Sequence, residues 1–510
     1  MKPGLVFAAI SVLTVLTFVQ FPGHTWIQQD TQIYAPILEH LRDPSVLSKD
    51  MLVQRPHVTF TLYDEMAVAL CRATGLEFRE VLGGIQLLTR GLGIWGVYLM
   101  AAAMGLTEIP ALLVAAIFSL GAMIMGPAVM TFELEPNPRG FAVPLLLLGV
   151  GLISHARYLA AGIAGAAAFL LHAPTVYPFW GVYFCLALYP SKPQQMRRRL
   201  YAFAPLLVAA LILLFASRHQ AGVGEAQLFL ARLDATQEAF QRWRAAYVWI
   251  SIWWRDWTPQ YLFLAATALV AYLRVRRDTP LDLRFFLLGM PLVGLLSIPV
   301  SYILLERMKW ALVPQFQPLR ALLFVTFAAV FLASVAGYRA IGARRWPEAF
   351  LWFVLAYVIP VNTAVLAIPA ANRVLVLVLL AAGACLACRA AEEKRWALPV
   401  AALVAVGAFF LIPTVGKVVS YPKLHTPELA QLSEWAKART PADAVFLFPH
   451  AGRDLSAGVF RSEALRAIYV DWKGGGQVNY LRALGEEWGR RWEQTMTKPF
   501  RAEDVARFRQ

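Results

Sequence analysis

The stretch LVFAAISVLTVLTFVQF at residues 5–21, followed by HTWIQQDTQIYAPILEH at residues 24–40, decides the class of this chain. The first part is an apolar run of about the length that a helix needs to cross some 30 Å of hydrocarbon. The second part carries a carboxylate, Asp30, close to the end of that run. We therefore expect a first transmembrane helix with an acidic residue just outside the membrane.

The same apolar pattern recurs along most of the chain. Apolar residues make up 59% of the sequence, charged residues 15%, and the mean hydropathy is +0.55. Soluble domains carry about 25% charged residues, so the composition predicts an all-α multi-pass membrane protein. We expect about 13 transmembrane helices, near residues 4–22, 81–104, 109–130, 140–156, 158–173, 175–190, 200–216, 258–273, 284–304, 319–337, 349–369, 373–389 and 397–413.

The formal charge of +15 would suit a nucleic-acid partner, but its distribution argues against one. The basic clusters lie in short connections between apolar runs, which is the pattern of loops that stay on the cytoplasmic side. We predict a bacterial cytoplasmic membrane protein with a cytoplasmic N-terminus and an extracytoplasmic C-terminal region. The clusters occupy residues 192–199, 274–284, 338–345 and 388–395.

This topology divides the chain into a transmembrane domain, residues 1–413, and a small extracytoplasmic α/β domain, residues 414–510. It also places a long first loop, residues 22–80, on the outer side. Further outer segments are the acidic loop FELEPNPRG at 132–140, the turn HAPTVYP at 172–178, an amphipathic stretch at 218–257 and the loop at 306–320.

The C-terminal region has the pattern of a compact α/β unit. Thr426 is placed to cap a helix that begins at Pro427, and strands are predicted at residues 444–449 and 467–472. A glycine loop at 474–476 and a helix at 480–494 follow. Because so short a unit has a small core, we expect it to pack against the membrane domain.

Asp30 allows two interpretations. An aspartate in front of a stretch such as TQIYAPILEHLRD often caps a helix through its carboxylate. It could instead be a general base that removes a proton from an acceptor hydroxyl, or a metal ligand. The residue alone leaves this open.

Glu133 and Glu135 are the second acidic candidates, and they share one short outer loop. Alternate side chains of an extended segment point the same way, so both carboxylates could hold a divalent cation such as Mg²⁺ or Mn²⁺. They could equally form a structural ion pair with Arg139, which is also a candidate substrate-binding residue.

Arg320 stands at the outer end of an apolar run, after QFQP. A guanidinium there could reach the lipid headgroups for no further purpose, or it could bind the phosphate of a lipid-linked substrate. Arg307 and Lys309 in the same loop would share that task. His172 at the outer turn is either a phosphate or acceptor contact or a packed histidine. Tyr34, four residues after Asp30, completes the candidate substrate-binding residues.

The membrane part resembles the GT-C superfamily of multi-pass glycosyltransferases, through a first helix, a long outer loop with an early acid, a second acidic loop and an external C-terminal domain. Such enzymes use a sugar linked to polyprenyl or dolichyl phosphate and pass it to a glycan, lipid or protein acceptor. The resemblance implies Asp30 as the base and Glu133 or Glu135 as the second acidic site. The doubled acidic motif of that family is replaced here by Gln29, Asp30 and Thr31.

The C-terminal stretches EWAKARTPADAVFLFP and FRSEALRAIYVDWK resemble the C-terminal region of a bacterial family of multi-pass membrane proteins that has no assigned activity. Its charged residues either bind a ligand or dock the domain onto the membrane part. The matching residues are Trp435, Pro441, Pro449, Arg461, Arg466, Asp471 and Lys473.

Two other functions are compatible with the sequence. A transporter or flippase of a lipid-linked glycan would place charged groups along a path at mid-bilayer depth. A non-catalytic membrane assembly protein would need no convergence of carboxylates. The sequence contains no P-loop, no GxGxxG at a strand–helix turn and no HExxH, so it gives no support to a cytosolic nucleotide-sugar as donor.

Overall fold

The computed structural model describes residues 3–54, 61–124, 126–127, 129–218, 231–362, 364–393, 396–415, 424–497 and 499–508. Parts of the predicted first loop, amphipathic stretch, fourth basic cluster and C-terminal region lie outside these residues. The helices are α1 (Pro3–Val19), α2 (Thr31–Arg42), α3 (Tyr63–Thr74), α4 (Phe78–Ala103), α5 (Glu108–Ser119), α6 (Pro138–Ser154), α7 (Tyr158–Leu188), α8 (Pro193–Leu200), α9 (Phe203–Ser217), α10 (Ala235–Arg244), α11 (Ile250–Val275), α12 (Leu281–Ser301), α13 (Leu312–Phe316), α14 (Leu323–Gly342), α15 (Trp346–Val361), α16 (Ala371–Glu393), α17 (Ala397–Val415), α18 (Pro427–Arg439), α19 (Ser456–Ala464) and α20 (Arg482–Met496).

Seven helical stretches among the described residues are long and apolar enough to cross a membrane. They are Phe78–Ala103, Tyr158–Leu188, Pro193–Ser217, Leu281–Arg307, Leu312–Gly342, Ala371–Glu393 and Ala397–Val415. The shorter α1, α5, α6 and α15 are also apolar. The chain is a helical multi-pass membrane protein, as predicted.

Helix α7 reverses direction at His172, where the backbone leaves the helical region (φ −157°, ψ 80°). The indole N–H of Trp180 donates to the carbonyl of Gly165 at 3.4 Å, across 15 residues. A continuous helix would separate these residues by about 22 Å. The two halves therefore form an antiparallel hairpin, which matches the two predicted helices at 158–173 and 175–190, and His172 is at its tip.

Helix α5 is shorter than predicted. The span at 109–130 was expected to be one helix, but α5 ends at Ser119 and is followed by a hairpin of β1 (Met123–Ile124) and β2 (Val129–Met130). Gly121 with φ +70° turns the chain there. A helix of 12 residues spans only about 18 Å. The residues that follow are buried at 120–122, 126–127 and 131–133, and irregular backbone is tolerated at membrane depth where protein surrounds it.

The C-terminal region begins as predicted. The hydroxyl of Thr426 accepts a hydrogen bond from the N–H of Leu429, and Pro427 is the first residue of α18. Both predicted strands are present but shorter than predicted. They form the parallel pair β3 (Val445–Phe446) and β4 (Ala467–Ile468). The predicted glycine loop is a 3-10 segment, Gly474–Asn479, which leads into α20.

This region packs on the first loop, as expected of a unit with a small core. The N–H of Ile468 donates to the Asp50 carboxylate at 3.1 Å. The ring of His425 bonds to the carbonyl of Trp26 at 2.9 Å. These contacts bring the 3-10 segment and the loop before it to the start of α2.

Candidate active site around Asp30

Asp30 precedes α2 but does not cap it, because its side chain makes no capping hydrogen bond. The Glu135 carboxylate takes that role from the acidic loop. It accepts hydrogen bonds from the backbone N–H groups of Gln28 and Gln29, each at 2.7 Å, and of Thr31 at 3.0 Å. It also accepts one from the Thr31 hydroxyl at 2.6 Å. The capping interpretation of Asp30 is wrong, and its carboxylate points elsewhere.

Two cations cover the Asp30 carboxylate. Lys473 Nζ lies 2.9 Å from Asp30 Oδ1, and Arg139 Nη2 lies 3.9 Å from Asp30 Oδ2. The Asp30 side chain remains 38% exposed, whereas that of Lys473 is 15% exposed. The charge of Lys473, helped by Arg139 and opposed by burial, holds the pKa of Asp30 below its usual range. Asp30 is therefore ionised at neutral pH.

Glu133 fixes Arg139 in place. Arg139 Nε donates to Glu133 Oε1 at 2.6 Å, and both side chains are buried. The Glu133 carbonyl accepts a hydrogen bond from Arg90 Nη2 at 2.5 Å. The Glu133–Arg139 ion pair that the sequence allowed is present, and it aims the free end of the guanidinium at Asp30.

The two glutamates do not present a site that suits a divalent cation. Glu135 directs its oxygens at N–H and O–H donors, and Glu133 is paired with a guanidinium. A cation would displace these donors and lie next to Arg139. The described residues also contain no group of three or more His, Cys, Asp or Glu placed to hold a metal. The metal assignment of Glu133 and Glu135 stays a prediction.

Tyr34 lies beside Asp30 on the first turn of α2. Its ring centroid is 5.3 Å from that of Tyr63, with the rings tilted. Burial, together with the charge of Asp30, raises the pKa of the Tyr34 hydroxyl above its usual value. The hydroxyl is therefore neutral.

Arg320 is held at one side of its guanidinium only. Its Nε donates to the side-chain oxygen of Gln317, and Gln317 Nε2 in turn donates to the Tyr480 hydroxyl at 2.9 Å. Gln317 adopts a left-handed conformation (φ +50°), which turns the loop at this point. The terminal nitrogen Nη1 of Arg320 is buried and has no hydrogen-bond partner among the described residues.

Other buried arginines differ in this respect. Arg90, Arg199 and Arg461 each use both terminal nitrogens on acceptors within the protein. Among these four, only Arg320 has a terminal nitrogen that is buried without a partner among the described residues, whereas the other three lack a partner at Nε. Its charge nevertheless reaches Asp30 and contributes to lowering the pKa of that carboxyl.

His172, at the tip of the α7 hairpin, completes this group. Its Nδ1 is 2.8 Å from the Thr175 hydroxyl, and its ring lies within range of the charges of Arg139 and Arg320. The structure thus brings seven predicted site residues together: Asp30, Tyr34, Glu133, Glu135, Arg139, His172 and Arg320.

Arg307 and Lys309 lie apart from this group. Lys309 forms an ion pair with Glu238 at 2.6 Å. Arg307 is exposed and stacks on the ring of Tyr302 at 5.3 Å. The structure therefore gives no geometric support to a shared role with Arg320. The loop reverses between Lys309 and Arg320, so their charges face different surroundings.

Sequence reasoning missed several members of the site. Lys473 was recognised only as one of several charged residues with either a binding or a docking role. Arg461 and Arg466 have structural roles. Arg461 pairs with Asp471 at 3.0 Å, and Arg466 caps the C-terminal end of α18 by donating to the carbonyls of Lys437 and Thr440. No sequence signal pointed to the other members. Arg244 interacts with the charge of Asp30, and the Arg320 guanidinium lies 6.0 Å from the centroid of the Tyr247 ring. Gln317 and Tyr480 form the hydrogen-bond chain on Arg320.

An apolar cavity of about 410 Å³ has Pro318, two residues before Arg320, in its lining. It lies between α12, α13 and the second half of α7. The Tyr177 hydroxyl donates to the Pro318 carbonyl at 2.8 Å. Its lining includes Tyr177, Val293, Leu296, Trp310, Phe316 and Pro318.

Comparison with known proteins gives two likenesses. Residues 427–495 match the model of a domain of unknown function, DUF6798, which confirms the predicted resemblance of the C-terminal region. The chain is also similar to the crystal structure of ArnT from Cupriavidus metallidurans in the apo state, with 12% identity over 92% of this chain and 85% of that one, and a TM-score of 0.48. No curated protein matches the chain. A likeness this loose does not establish activity, so function must be argued from the site.

Proposed function

We propose that this protein is a glycosyltransferase of the GT-C type, which takes a sugar from polyprenyl phosphate at the outer face of the bacterial cytoplasmic membrane. The acceptor would be a glycan, a lipid or a protein. The observation that carries the proposal is the Arg320 guanidinium, whose buried terminal nitrogen Nη1 has no acceptor among the described residues. A phosphate would supply the missing acceptor oxygens.

The charge around Arg320 favours an anion. Four cations interact with Asp30, and three carboxylates lie among them, of which Glu135 is already satisfied by backbone N–H groups. Asp30 pairs with Lys473 and Glu133 with Arg139, so Arg244 and Arg320 have no ion-pair partner among the described residues, in a partly buried place where an anion gains most from their charge. The cations are Arg139, Arg244, Arg320 and Lys473, and the carboxylates are Asp30, Glu133 and Glu135.

The apolar cavity supports a lipid as the carrier of that phosphate. Its lining includes Pro318, two residues before Arg320, and is almost entirely apolar. An isoprenoid chain lying there would bring its phosphate toward the Arg320 guanidinium. A free sugar phosphate would leave this surface without a partner.

The reaction follows from these positions. The bond between the sugar C1 and the phosphate oxygen breaks, and the leaving phosphate is stabilised by Arg320. The acceptor hydroxyl oxygen forms the new bond to C1 from the opposite side, with inversion, and its proton passes to Asp30. Glu135 and Arg139 hold the start of α2 and the Asp30 carboxylate in position.

The test is mass spectrometry of lipid-linked and surface glycans in a deletion strain complemented by variants. Asp30→Asn and Arg320→Met should each abolish the transferred sugar and leave its lipid-linked donor to accumulate. Arg345→Met is the matched control, because Arg345 is an exposed arginine in another ion pair, and it should restore the glycan fully.

The outcomes separate the proposal from its rivals. Full rescue by Asp30→Asn would remove Asp30 from the mechanism and favour a transport or assembly role. Loss of the glycan in both variants with unchanged membrane levels of the protein would support transfer. Accumulation of the donor distinguishes a failed transfer from a failed synthesis of the donor.

A further inference from the structure

Lys473 joins the C-terminal domain to the carboxylate that would receive the acceptor's proton. Its Nζ lies 2.9 Å from Asp30 Oδ1, while Arg139 covers Oδ2 at 3.9 Å. Both oxygens of Asp30 thus face cations, although the side chain stays partly exposed. Withdrawal of either cation would free an oxygen of this carboxylate to take the proton of an acceptor hydroxyl.

Of the two cations, Lys473 is the one that can move. Arg139 is tied to Glu133 at 2.6 Å and lies on the first turn of the buried helix α6. Lys473 has its ammonium at the end of a flexible four-carbon stem, and Asp30 is its only ion-pair partner among the described residues. The side chain can therefore turn away without unfolding anything.

The backbone that carries Lys473 is fixed. The Asp471 carboxylate accepts the N–H groups of Lys473 and Gly474, each at 3.1 Å, and Arg461 donates to it at 3.0 Å. Arg461 also donates to the carbonyl of Gln32 at 2.8 Å, in the first turn of α2. The loop is thus clamped to the same helix that presents Asp30, so a movement of Lys473 is confined to its side chain.

Given the proposed function, we infer that Lys473 is an exchangeable counter-ion, which leaves Asp30 for the phosphate of the lipid-linked donor. Asp30 is then uncovered as a base only when a donor is in place. The exchange breaks one ion pair and forms another, and no covalent bond changes. The C-terminal domain contributes a substrate-binding residue to the active site in this way, beyond its packing on the first loop.

The test measures the dissociation constants of polyprenyl phosphate and of the uncharged polyprenol for the full-length protein in detergent. Four proteins form a double-mutant cycle: wild type, Asp30→Asn, Lys473→Met and the double variant. Exchange requires wild type to break the Lys473–Asp30 pair before it binds phosphate. Asp30→Asn should therefore tighten phosphate binding more when Lys473 is present than when it is absent, by about threefold or more.

No coupling is expected if Lys473 does not reach the phosphate. The gain from Asp30→Asn is then equal with and without Lys473, and this result would overturn the inference. Should Lys473→Met lower the melting temperature, Lys473→Gln serves as a second neutral background. Polyprenol binding should be unchanged throughout, because the exchange concerns the phosphate alone.

Two controls keep the inference separate from the proposed function. Lys49→Met removes an exposed ion pair between the first loop and the C-terminal domain (Lys49–Asp443, 2.8 Å), and it should leave both dissociation constants at wild-type values. If wild type binds polyprenyl phosphate no better than polyprenol, the proposed function fails. If the phosphate binds and Arg320→Met weakens it, but the cycle shows no coupling, only the role of Lys473 fails.

Discussion

The two ends of the first half of α7 carry clusters with the same kinds of side chain and different properties. At its first residue, the Tyr158 hydroxyl donates to Asp282, and Arg199 Nη2 lies 2.6 Å from the same carboxylate. The side chains of Arg199 and Asp282 are 0% and 12% exposed. At the other end, His172 lies with Asp30, Arg139 and Arg320.

The two clusters differ in how completely their charges and hydrogen-bond donors are paired. The Arg199 group, Tyr158, Arg199 and Asp282, pairs one cation with one anion, and both terminal nitrogens of Arg199 are used. The cluster around Asp30 has an excess cation, a half-exposed carboxylate and a guanidinium with spare donors. A buried arginine near an aspartate is therefore no sign of a binding site by itself. The cluster around Asp30 differs from the Arg199 group because Arg320 has neither an ion-pair partner nor an acceptor for Nη1 among the described residues, whereas Arg199 lacks a partner only at Nε.

The largest expected effect on stability belongs to the balanced cluster. Arg199→Met should lower the free energy of unfolding by about 3–5 kcal/mol, because it leaves Asp282 buried without its charge partner. Arg320→Met should leave the melting temperature near that of wild type while abolishing transfer, since Arg320 donates only to Gln317 among the described residues. Thermal unfolding in detergent at pH 7 measures both.

The double variant Arg199→Met with Asp282→Leu is the control for this comparison. Replacing both partners of a buried pair by apolar residues is often close to neutral, so it should recover most of the lost stability. If Arg320→Met proved as destabilising as Arg199→Met, the proposed difference between the Arg199 group and the cluster around Asp30 would be contradicted.

An intermediate effect is expected for Glu135→Gln. One carboxylate oxygen becomes an amide N–H that faces the N–H of Thr31, whose hydrogen bond to Glu135 Oε2 is lost. The loss of charged acceptors should cost about 1–3 kcal/mol and should also reduce transfer, because the start of α2 positions Asp30. Glu393→Gln, in an exposed pair with Arg389, should change stability by less than about 1 kcal/mol. Wild-type activity in Glu135→Gln would show that this end of α2 needs no anchor.

Most helices could be predicted from local sequence patterns, whereas the site is formed by contacts between residues far apart in the sequence. Hydropathy placed the two halves of α7 because a membrane helix is recognisable from its own residues. It failed at α5, where Gly121 and the buried loop end the helix early. Lys473 and Asp30 are separated by 443 positions, so no local pattern could pair them. Arg320 and Lys309 looked equivalent in one loop, and only the turn at Gln317 separates their surroundings.

A pH-dependent effect is expected for Asp64, whose carboxylate has no cation beside it among the described residues. Its Oδ1 is buried with no hydrogen bond among the described residues. Burial, and then the charge of Glu65, raise the pKa of Asp64 to about 7. The folded state thus keeps a proton that the unfolded chain releases near pH 4, and wild type loses stability as the pH rises from about 4 to about 7. Asp64→Asn should remove this loss.

The melting temperature of Asp64→Asn should therefore rise relative to wild type across this pH range and stay higher at a constant margin above it. Asp30 behaves in the opposite sense, because its lowered pKa stabilises the folded state above pH 4 and the contribution is lost on acidification. Melting curves of Asp64→Asn between pH 4 and pH 8 test the assignment. A constant difference over the whole range would mean that Asp64 is solvated like an ordinary carboxylate. A difference that grows with pH would show that burial keeps Asp64 protonated, whereas Lys473 and Arg139 keep the Asp30 carboxylate charged.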